Sequence, residues 1–120
     1  MGVTKVDIKV CRIDEPTNCE TVKNVVVDTG AFATALPSDV VRKLGIKPHS
    51  RKRFTLADGS STVKDVGSAL IEIDGRKTSD DVISTEKGPA LLSVRALEGM
   101  GMEVNPKTGK LKKMAGSLLL

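Results

Sequence analysis

The stretch Val25-Val26-Val27-Asp28-Thr29-Gly30-Ala31 decides how this sequence is interpreted. Three consecutive valines predict a strand buried on both faces, and a carboxylate at the end of such a strand is costly unless hydrogen bonds or a chemical role retain it. Thr29 adds a short hydroxyl, and Gly30 permits a backbone turn that residues with a Cβ atom resist. Because a helix start follows at Pro37-Ser38-Asp39, Asp28 is the first candidate for a functional residue.

Length and composition indicate the class of protein. The chain has 120 residues, which predicts one domain over residues 1–120 with a modest core. Its 39% hydrophobic and 28% charged residues are ordinary for a soluble globular protein. No apolar run approaches the ~20 residues of a membrane span, and the first residues lack the pattern of a signal peptide. We therefore expect a cytoplasmic protein without a membrane partner.

The net charge of +4 raises the question of nucleic-acid binding. The basic residues divide between Arg51-Lys52-Arg53 and the lysines of residues 107–113. Two phenylalanines are the only aromatic residues, so the chain offers almost no surface on which bases could stack. We interpret the lysines as solvated surface residues and expect no nucleic-acid partner.

The cysteines and the histidine fit no familiar site. Cys11 and Cys19 lie on either side of a predicted hairpin turn and match no zinc spacing. They could form a disulfide in an oxidising or heat-adapted setting, but we favour two unbonded, partly buried thiols. His49 is the only histidine, and no nucleophile-elbow glycine pattern accompanies any serine or cysteine. We therefore expect a surface role for His49, and neither a cofactor nor a metal.

Short apolar segments between Gly and Pro turns predict a mainly β fold, a small closed β barrel with one or two short helices. The predicted elements are strands at 3–13, 20–28 and 33–36, a helix capped by Ser38 and ended by Gly45, hairpins at 54–66 around Asp58-Gly59 and at 67–83 around Asp74-Gly75, a helical segment at 91–100, and a last hairpin at 104–111.

Asp28-Thr29-Gly30, in this setting, resembles the active-site turn of the retropepsin-like aspartic proteases, the single-domain type related to retroviral proteases. The resemblance extends over roughly residues 20–112 and implies a β barrel of the retropepsin type. It implies that Asp28 is the catalytic carboxylate and that the Thr29 hydroxyl grips a partner chain. Gly30 would line the substrate floor, and Ala31 would continue the active-site loop.

The same resemblance assigns two further segments. The hairpin tip Ala57-Asp58-Gly59-Ser60 occupies the place of the flap that closes over substrate. Leu91-Leu92, followed by a helix over 94–100, resembles the segment that crosses behind the active-site loop. The implied pockets have an apolar lining, which predicts bulky apolar residues on both sides of the cleaved bond.

The Asp-Thr-Gly triplet occurs once, whereas this chemistry needs two carboxylates that share a proton. Asp58 lies in a polar turn and Asp74 in a hairpin turn, so neither is in a comparable context. The resemblance therefore implies a homodimer in which two copies of Asp28 meet. Such a dimer would be an endopeptidase that acts on extended peptides or unfolded proteins.

Ser93 is a departure, because most relatives have glycine after the two apolar residues. A serine there could shift the active-site loop, which keeps open a second interpretation, a dimerisation or peptide-binding module with little or no cleavage. Phosphoryl transfer would need a second acidic residue nearby or phosphate loops, and the sequence has neither. The tail at residues 118–120 is either a dimer-interface strand or disordered, and the sequence does not decide between them.

Overall fold

Alternating apolar and polar residues form the first two strands. The computed structural model describes residues 3–114. Strand β1 (Lys5–Cys11) buries Ile8 and Val10, as the alternation predicts. It pairs antiparallel with β2 (Cys19–Asp28), and the register shifts between Val6 and Ile8. This hairpin delivers Asp28 to the end of a strand that is anchored in the core.

The remaining elements agree with the predicted order. They are β3 (Thr34–Pro37), α1 (Ser38–Leu44), β4 (Ser50–Thr55), β5 (Ser61–Ile73), β6 (Arg76–Thr85), β7 (Leu91–Ser93), α2 (Val94–Gly99), β8 (Met102–Val104) and β9 (Leu111–Lys113).

The strands form a ring. Seven of them make one sheet in the order β1-β2-β7-β3-β6-β5-β4, and a further pairing of β1 with β5 closes it. The pairs β2–β7 and β3–β6 are parallel, and the other strand pairs of the sheet are antiparallel. Strand β4 lies outside the ring, against the first half of β5. The predicted class, a small, mainly β fold with short helices, is confirmed.

The core lies inside this ring and is almost wholly aliphatic. Its fully buried large side chains come from the strands and from both helices, namely Ile8, Val10, Val25, Leu36, Leu44, Val66, Ile71, Val82, Leu92 and Leu97. In the valine run only Val25 is fully buried, and Val26 and Val27 are half-buried. The prediction of a strand buried on both faces was therefore wrong, because a ring-shaped sheet turns one face to the core and the other outward.

Helix α1 begins differently from the prediction and ends as expected. Ser38 is its first residue and makes no cap; the Ser38 hydroxyl instead donates to the Thr85 carbonyl at 3.2 Å, which ties the helix to β6. Gly45 ends the helix in the left-handed conformation, with φ of 67°, where glycine has no steric penalty.

Two other boundaries also differ. The segment 91–100 has helical spacing, but β7 takes its first three residues because they pair with Val26, Val27 and Asp28 of β2. Helix α2 begins at Val94, as the family resemblance implied. Strand β5 is continuous through Gly67, where a break between two hairpins was predicted. Its first half pairs with β4 and its second half with β6. A Cβ atom on Gly67 would lie 2.6 Å from Cγ2 of Ile46, so any other residue there would force Ile46 to move.

Cys11 and Cys19 form a disulfide, so the preference for unbonded thiols was wrong. The two residues are directly opposed in the β1–β2 register, and this brings their side chains together. Disulfides persist in oxidising compartments and in the cytoplasm of hyperthermophiles. The cytoplasmic location expected from the sequence is therefore compatible with this bond only where thiols stay oxidised.

We expect the double variant Cys11→Ser/Cys19→Ser to keep the fold and to lose about 2 to 3 kcal/mol of unfolding free energy. The bond closes a short loop, and opening it returns chain entropy to the unfolded state. Urea unfolding of the oxidised protein, its reduced form and the double variant measures the difference. Equal midpoints for all three would contradict the prediction.

No helix in residues 3–114 is both long enough and apolar enough to cross a membrane. The tail at residues 118–120, for which two interpretations were open, lies outside the described residues.

Candidate active site

Asp28 lies where β2 leaves the sheet, and its carboxylate shapes the turn that follows. Oδ1 of Asp28 accepts a hydrogen bond from the Gly30 amide at 2.9 Å, and the Asp28 carbonyl accepts one from the Ala31 amide at 3.1 Å. Asp28 is opposite Ser93 in the parallel pairing with β7. The carboxylate is thus half-buried and held in one orientation by the loop that was predicted around it.

The next side chains of the loop point away from the core. Thr29 is exposed, and within residues 3–114 its hydroxyl makes no hydrogen bond. Phe32 is 77% exposed, an unusual state for one of the two aromatic side chains in the protein. The surface beside Asp28 therefore carries an exposed hydroxyl and a large, mostly exposed apolar ring.

Asp28 opens into a cleft of about 680 Å³. Its apolar lining comes from the loop after Asp28, β3, β4 and the turn after it, the middle of β5, β6 and β7, namely Ala31, Phe32, Ala33, Ala35, Phe54, Leu56, Ala57, Val66, Ile83 and Leu91. Its charged lining consists, besides Asp28, of Lys52, Arg53, Asp81 and Arg95. The cleft is thus an apolar trough with charged groups on its wall, a form suited to an extended chain with bulky apolar side chains.

The β4–β5 hairpin overhangs this cleft. Ala57 is the one member of the predicted Ala57–Ser60 tip that lines it, and the other lining residues of the hairpin are residues 52–56. The sequence located the hairpin but missed these residues. Phe54 was the available signal, because it is the one large apolar residue of a strand that is otherwise polar.

The tip of the hairpin is a tight turn organised by Asp58. Oδ1 of Asp58 accepts hydrogen bonds from both the hydroxyl and the amide of Ser60. These two hydrogen bonds lower the pKa of Asp58 below the usual value of an aspartate, and the bond from the hydroxyl has the larger effect. Gly59 between them has a φ of 87°, which a residue with a Cβ atom resists.

We expect the order of this turn to depend on pH. A lowered pKa in the folded protein means that the turn is stabilised at neutral pH and loses this contribution as the pH falls through the pKa of Asp58. The Ser60 amide resonance, followed by NMR, should shift over that range and should shift at neutral pH in Asp58→Ala. Asp58→Asn, which keeps an acceptor oxygen, is the control. A Ser60 resonance unchanged in Asp58→Ala would contradict this role.

A buried polar network includes Ser93, the residue that pairs with Asp28. Oδ2 of Asp80 accepts hydrogen bonds from the hydroxyls of Thr34 at 2.8 Å and Ser93 at 2.7 Å. The Thr34 hydroxyl in turn accepts the Ser93 amide at 3.2 Å, and the Ser93 hydroxyl accepts the Ala96 amide at 3.0 Å. Thr34 and Ser93 are completely buried, and Asp80 is 6% exposed. The network joins β3, β6, β7 and the first turn of α2.

Ser93 therefore has a defined place in this fold. Its backbone is ordinary extended chain, with φ of −71° and ψ of 154°, and it keeps the register with Asp28. Its hydroxyl caps α2 and binds Asp80 at the same time. Asp80 supplies the acceptor that this buried hydroxyl needs, and the chain at Ser93 stays in register with Asp28.

The sequence interpretation missed Asp80, although a signal was present. Asp80 is in phase with Val82 along β6, so strand alternation turns both side chains to the interior. An aspartate at an inward position needs hydrogen-bond donors, which here are two hydroxyls.

Within residues 3–114, neither the possible metal ligands nor the surroundings of His49 form a catalytic centre of the metal or serine-triad type. No group of three or more His, Cys, Asp or Glu side chains within residues 3–114 is arranged to hold a metal ion. His49 is exposed and contacts Ser68 through Nε2 at 2.8 Å and Ser50 through Nδ1 at 3.1 Å. Asp81 is 3.9 Å from the same Nε2 atom, not from Nδ1, so these groups do not form a serine triad.

Comparison with known proteins adds a family and a fold. The family model described as gag-polyprotein putative aspartyl protease matches residues 17–105. A search of curated proteins found no significant match. Among solved structures, the solution structure of simian foamy virus (mac) protease is similar, with a TM-score of 0.55 and 16% identity over 79% of this chain and 92% of that one. EIAV protease in complex with the inhibitor HBY-793 is similar with a TM-score of 0.53 and 15% identity over 87% of this chain and 93% of that one.

Proposed function

The chain belongs to the gag-polyprotein putative aspartyl protease family, and from this membership we propose that it is an aspartic endopeptidase that works as a homodimer. Each chain contributes one Asp28, and the pair forms the catalytic centre. The substrate is an extended segment of a peptide or unfolded protein, and no cofactor takes part.

One observation carries the proposal. Asp28 is the carboxylate of the Asp-Thr-Gly triplet, it is half-buried and held by the Gly30 amide, and it faces an apolar cleft large enough for several side chains. A carboxylate fixed in this way can orient a water molecule against a bound peptide bond. Asp81 also lines the cleft, but it lies within 4.0 Å of Lys52 and Arg95 and is not part of an Asp-Thr-Gly triplet.

The mechanism follows from two carboxylates that hold one proton between them. The ionised carboxylate takes a proton from water as the oxygen attacks the peptide carbonyl, and the protonated one donates to the carbonyl oxygen. The tetrahedral intermediate then collapses: the carboxyl that took the proton from water gives it to the leaving amine nitrogen, and the other carboxylate takes back a proton from a hydroxyl of the intermediate, which becomes the new carboxylic acid. No covalent bond to the protein forms. Activity requires the singly protonated pair, so it should fall at both low and high pH.

The β4–β5 hairpin is proposed as the flap over the substrate. Its half-buried Phe54 and exposed Leu56 face the cleft, and the active-site loop forms the opposite wall. A peptide between these walls could pair with backbone groups as an added strand while its side chains enter the apolar trough. This favours bulky apolar residues around the cleaved bond.

The second candidate is a dimerisation or peptide-binding module without efficient cleavage. Ser93 was the feature that favoured it. The network of Ser93, Asp80 and Thr34 weakens that support, because the hydroxyl is accommodated without displacing the chain opposite Asp28. A cleavage assay with fluorogenic peptides that carry apolar residues around the scissile bond separates the two candidates.

We expect Thr29→Val to weaken the dimer about 10- to 30-fold, because two hydrogen bonds related by symmetry would be lost at about 1 kcal/mol each. The exposed Thr29 hydroxyl beside Asp28 motivates this expectation. Sedimentation equilibrium gives the dissociation constant, and the specific activity should become dependent on protein concentration over the same range.

Thr29→Ser is the matched control, because it keeps the hydroxyl and removes only the methyl group. If the dissociation constant of the dimer were unchanged in Thr29→Val, or raised equally in both variants, the Thr29 hydroxyl would not form a hydrogen bond that stabilises the dimer.

A further inference from the structure

A charged cluster lies on the wall of the cleft that contains Asp28, and its charges do not balance. Oδ2 of Asp81 is 3.6 Å from Nζ of Lys52 and 4.0 Å from Nη1 of Arg95. His49 approaches the other oxygen of Asp81 at 3.9 Å. Two permanent cations, from β4 and from α2, thus converge on a single carboxylate.

These contacts are loose. Both distances exceed the roughly 3.2 Å limit of an N–H···O hydrogen bond, so neither cation is committed to Asp81 by a hydrogen bond. The side chains of Lys52 and Arg95 are 55% and 61% exposed, whereas that of Asp81 is 24% exposed. The cations therefore stand on the open side of the cluster, where a ligand in the cleft would meet them.

The cluster has the donors that an incoming carboxylate needs. Arg95 can present two parallel N–H groups to a carboxylate, and Lys52 can add a third donor from the hairpin. Both residues line the same cleft as Asp28. A second anion would balance the second cation, while Asp81 keeps the two cations near each other.

We propose that Lys52 and Arg95 form a subsite for an acidic side chain of the substrate, so that the enzyme prefers peptides with glutamate or aspartate outside an apolar cleavage site. This specificity rests on the proposed function and refines it. In a symmetric dimer the subsite occurs twice, once on each side of the scissile bond. The preferred substrate is therefore an apolar centre flanked by acidic residues.

Matched peptides test the proposal. A fluorogenic peptide with an apolar centre is prepared with glutamine at every flanking position, and glutamate then replaces glutamine at one position at a time. We expect glutamate to raise kcat/KM about fivefold at one position on each side, a size typical of exposed ion pairs, and to lose this advantage at high salt. The double variant Lys52→Gln/Arg95→Gln should cleave both peptides equally.

Arg51→Gln is the matched control. It removes one positive charge from the same strand, and Arg51 pairs with Asp65 at 3.2 Å outside the cleft lining. The glutamate preference should survive in this variant. If the preference disappeared in Arg51→Gln as it does in Lys52→Gln/Arg95→Gln, it would reflect the overall positive charge of the protein, and the subsite would be overturned.

A binding measurement distinguishes failure of the acidic subsite from failure of the proposed protease activity. Fluorescence anisotropy with Asp28→Asn measures the same peptides without cleavage. Cleavage of the glutamine peptides without any glutamate preference would overturn the subsite and leave the protease. A glutamate preference in binding that Lys52→Gln/Arg95→Gln removes, without cleavage by the unmodified protein, would support the subsite and overturn the protease. A preference that persists in the double variant would overturn the subsite.

Discussion

The Asp28→Asn variant is expected to lose at least about 10³-fold in peptide cleavage, because it removes the proton exchange on which general acid and base catalysis depends. The amide has nearly the volume of the carboxylate, and its oxygen can still accept the Gly30 amide that Oδ1 of Asp28 holds at 2.9 Å. The turn, the cleft and the dimer should therefore persist. Loss of activity would then report chemistry and not folding.

The measurement compares kcat/KM, thermal midpoint and sedimentation for Asp28→Asn and for Asp65→Asn. Asp65 is exposed, pairs with Arg51 and does not line the cleft, so its variant controls for the change of charge. If Asp28→Asn kept more than a tenth of the activity of the unmodified protein, Asp28 would not be the catalytic carboxylate.

The Asp80→Ala variant is expected to lose about 3 kcal/mol or more of unfolding free energy, because it leaves the buried hydroxyls of Thr34 and Ser93 without their acceptor. Ser93 is opposite Asp28 in the β2–β7 pairing, so the loss should also reach the turn that holds Asp28. We expect kcat to fall more than the folded fraction explains.

Two variants make this prediction specific. Asp80→Asn keeps an acceptor oxygen for both hydroxyls and should restore most of the stability and of kcat. Asp81→Asn changes the neighbouring residue on the opposite face of β6, where the contacts are exposed ion pairs, and should change stability little. Equal losses in all three variants, measured by urea unfolding, would contradict a special role for the network.

Much of this fold could be predicted from local sequence. The alternation in β1, the turns at Asp58-Gly59 and Asp74-Gly75, and the helix stop at Gly45 depend on neighbours in the chain, and these elements formed within a few residues of the predicted bounds. The Asp-Thr-Gly triplet after a valine run likewise predicted a turn at the end of a strand, and β2 ends in such a turn at Asp28.

The rest depended on partners distant in sequence. Leu91 and Leu92 have helical spacing with the residues that follow, but pairing with β2 draws them into a strand. The bond between Cys11 and Cys19 depends on hairpin register, which the spacing alone leaves open. Asp80 gains its role from Thr34, which lies 46 residues away, and from Ser93. The Lys52–Asp81–Arg95 cluster likewise joins three separate elements.

The claim that two chains share one catalytic centre is tested most directly by mixing. The unmodified chain and Asp28→Asn are refolded together at equal concentrations, so that subunits assort at random, and activity is compared with that of the unmodified chain alone at the same total concentration. If both Asp28 residues of a dimer are required, activity falls to about one quarter, because only that fraction of dimers holds two unmodified chains. Activity of about one half would show that each chain works by itself and would contradict the shared centre.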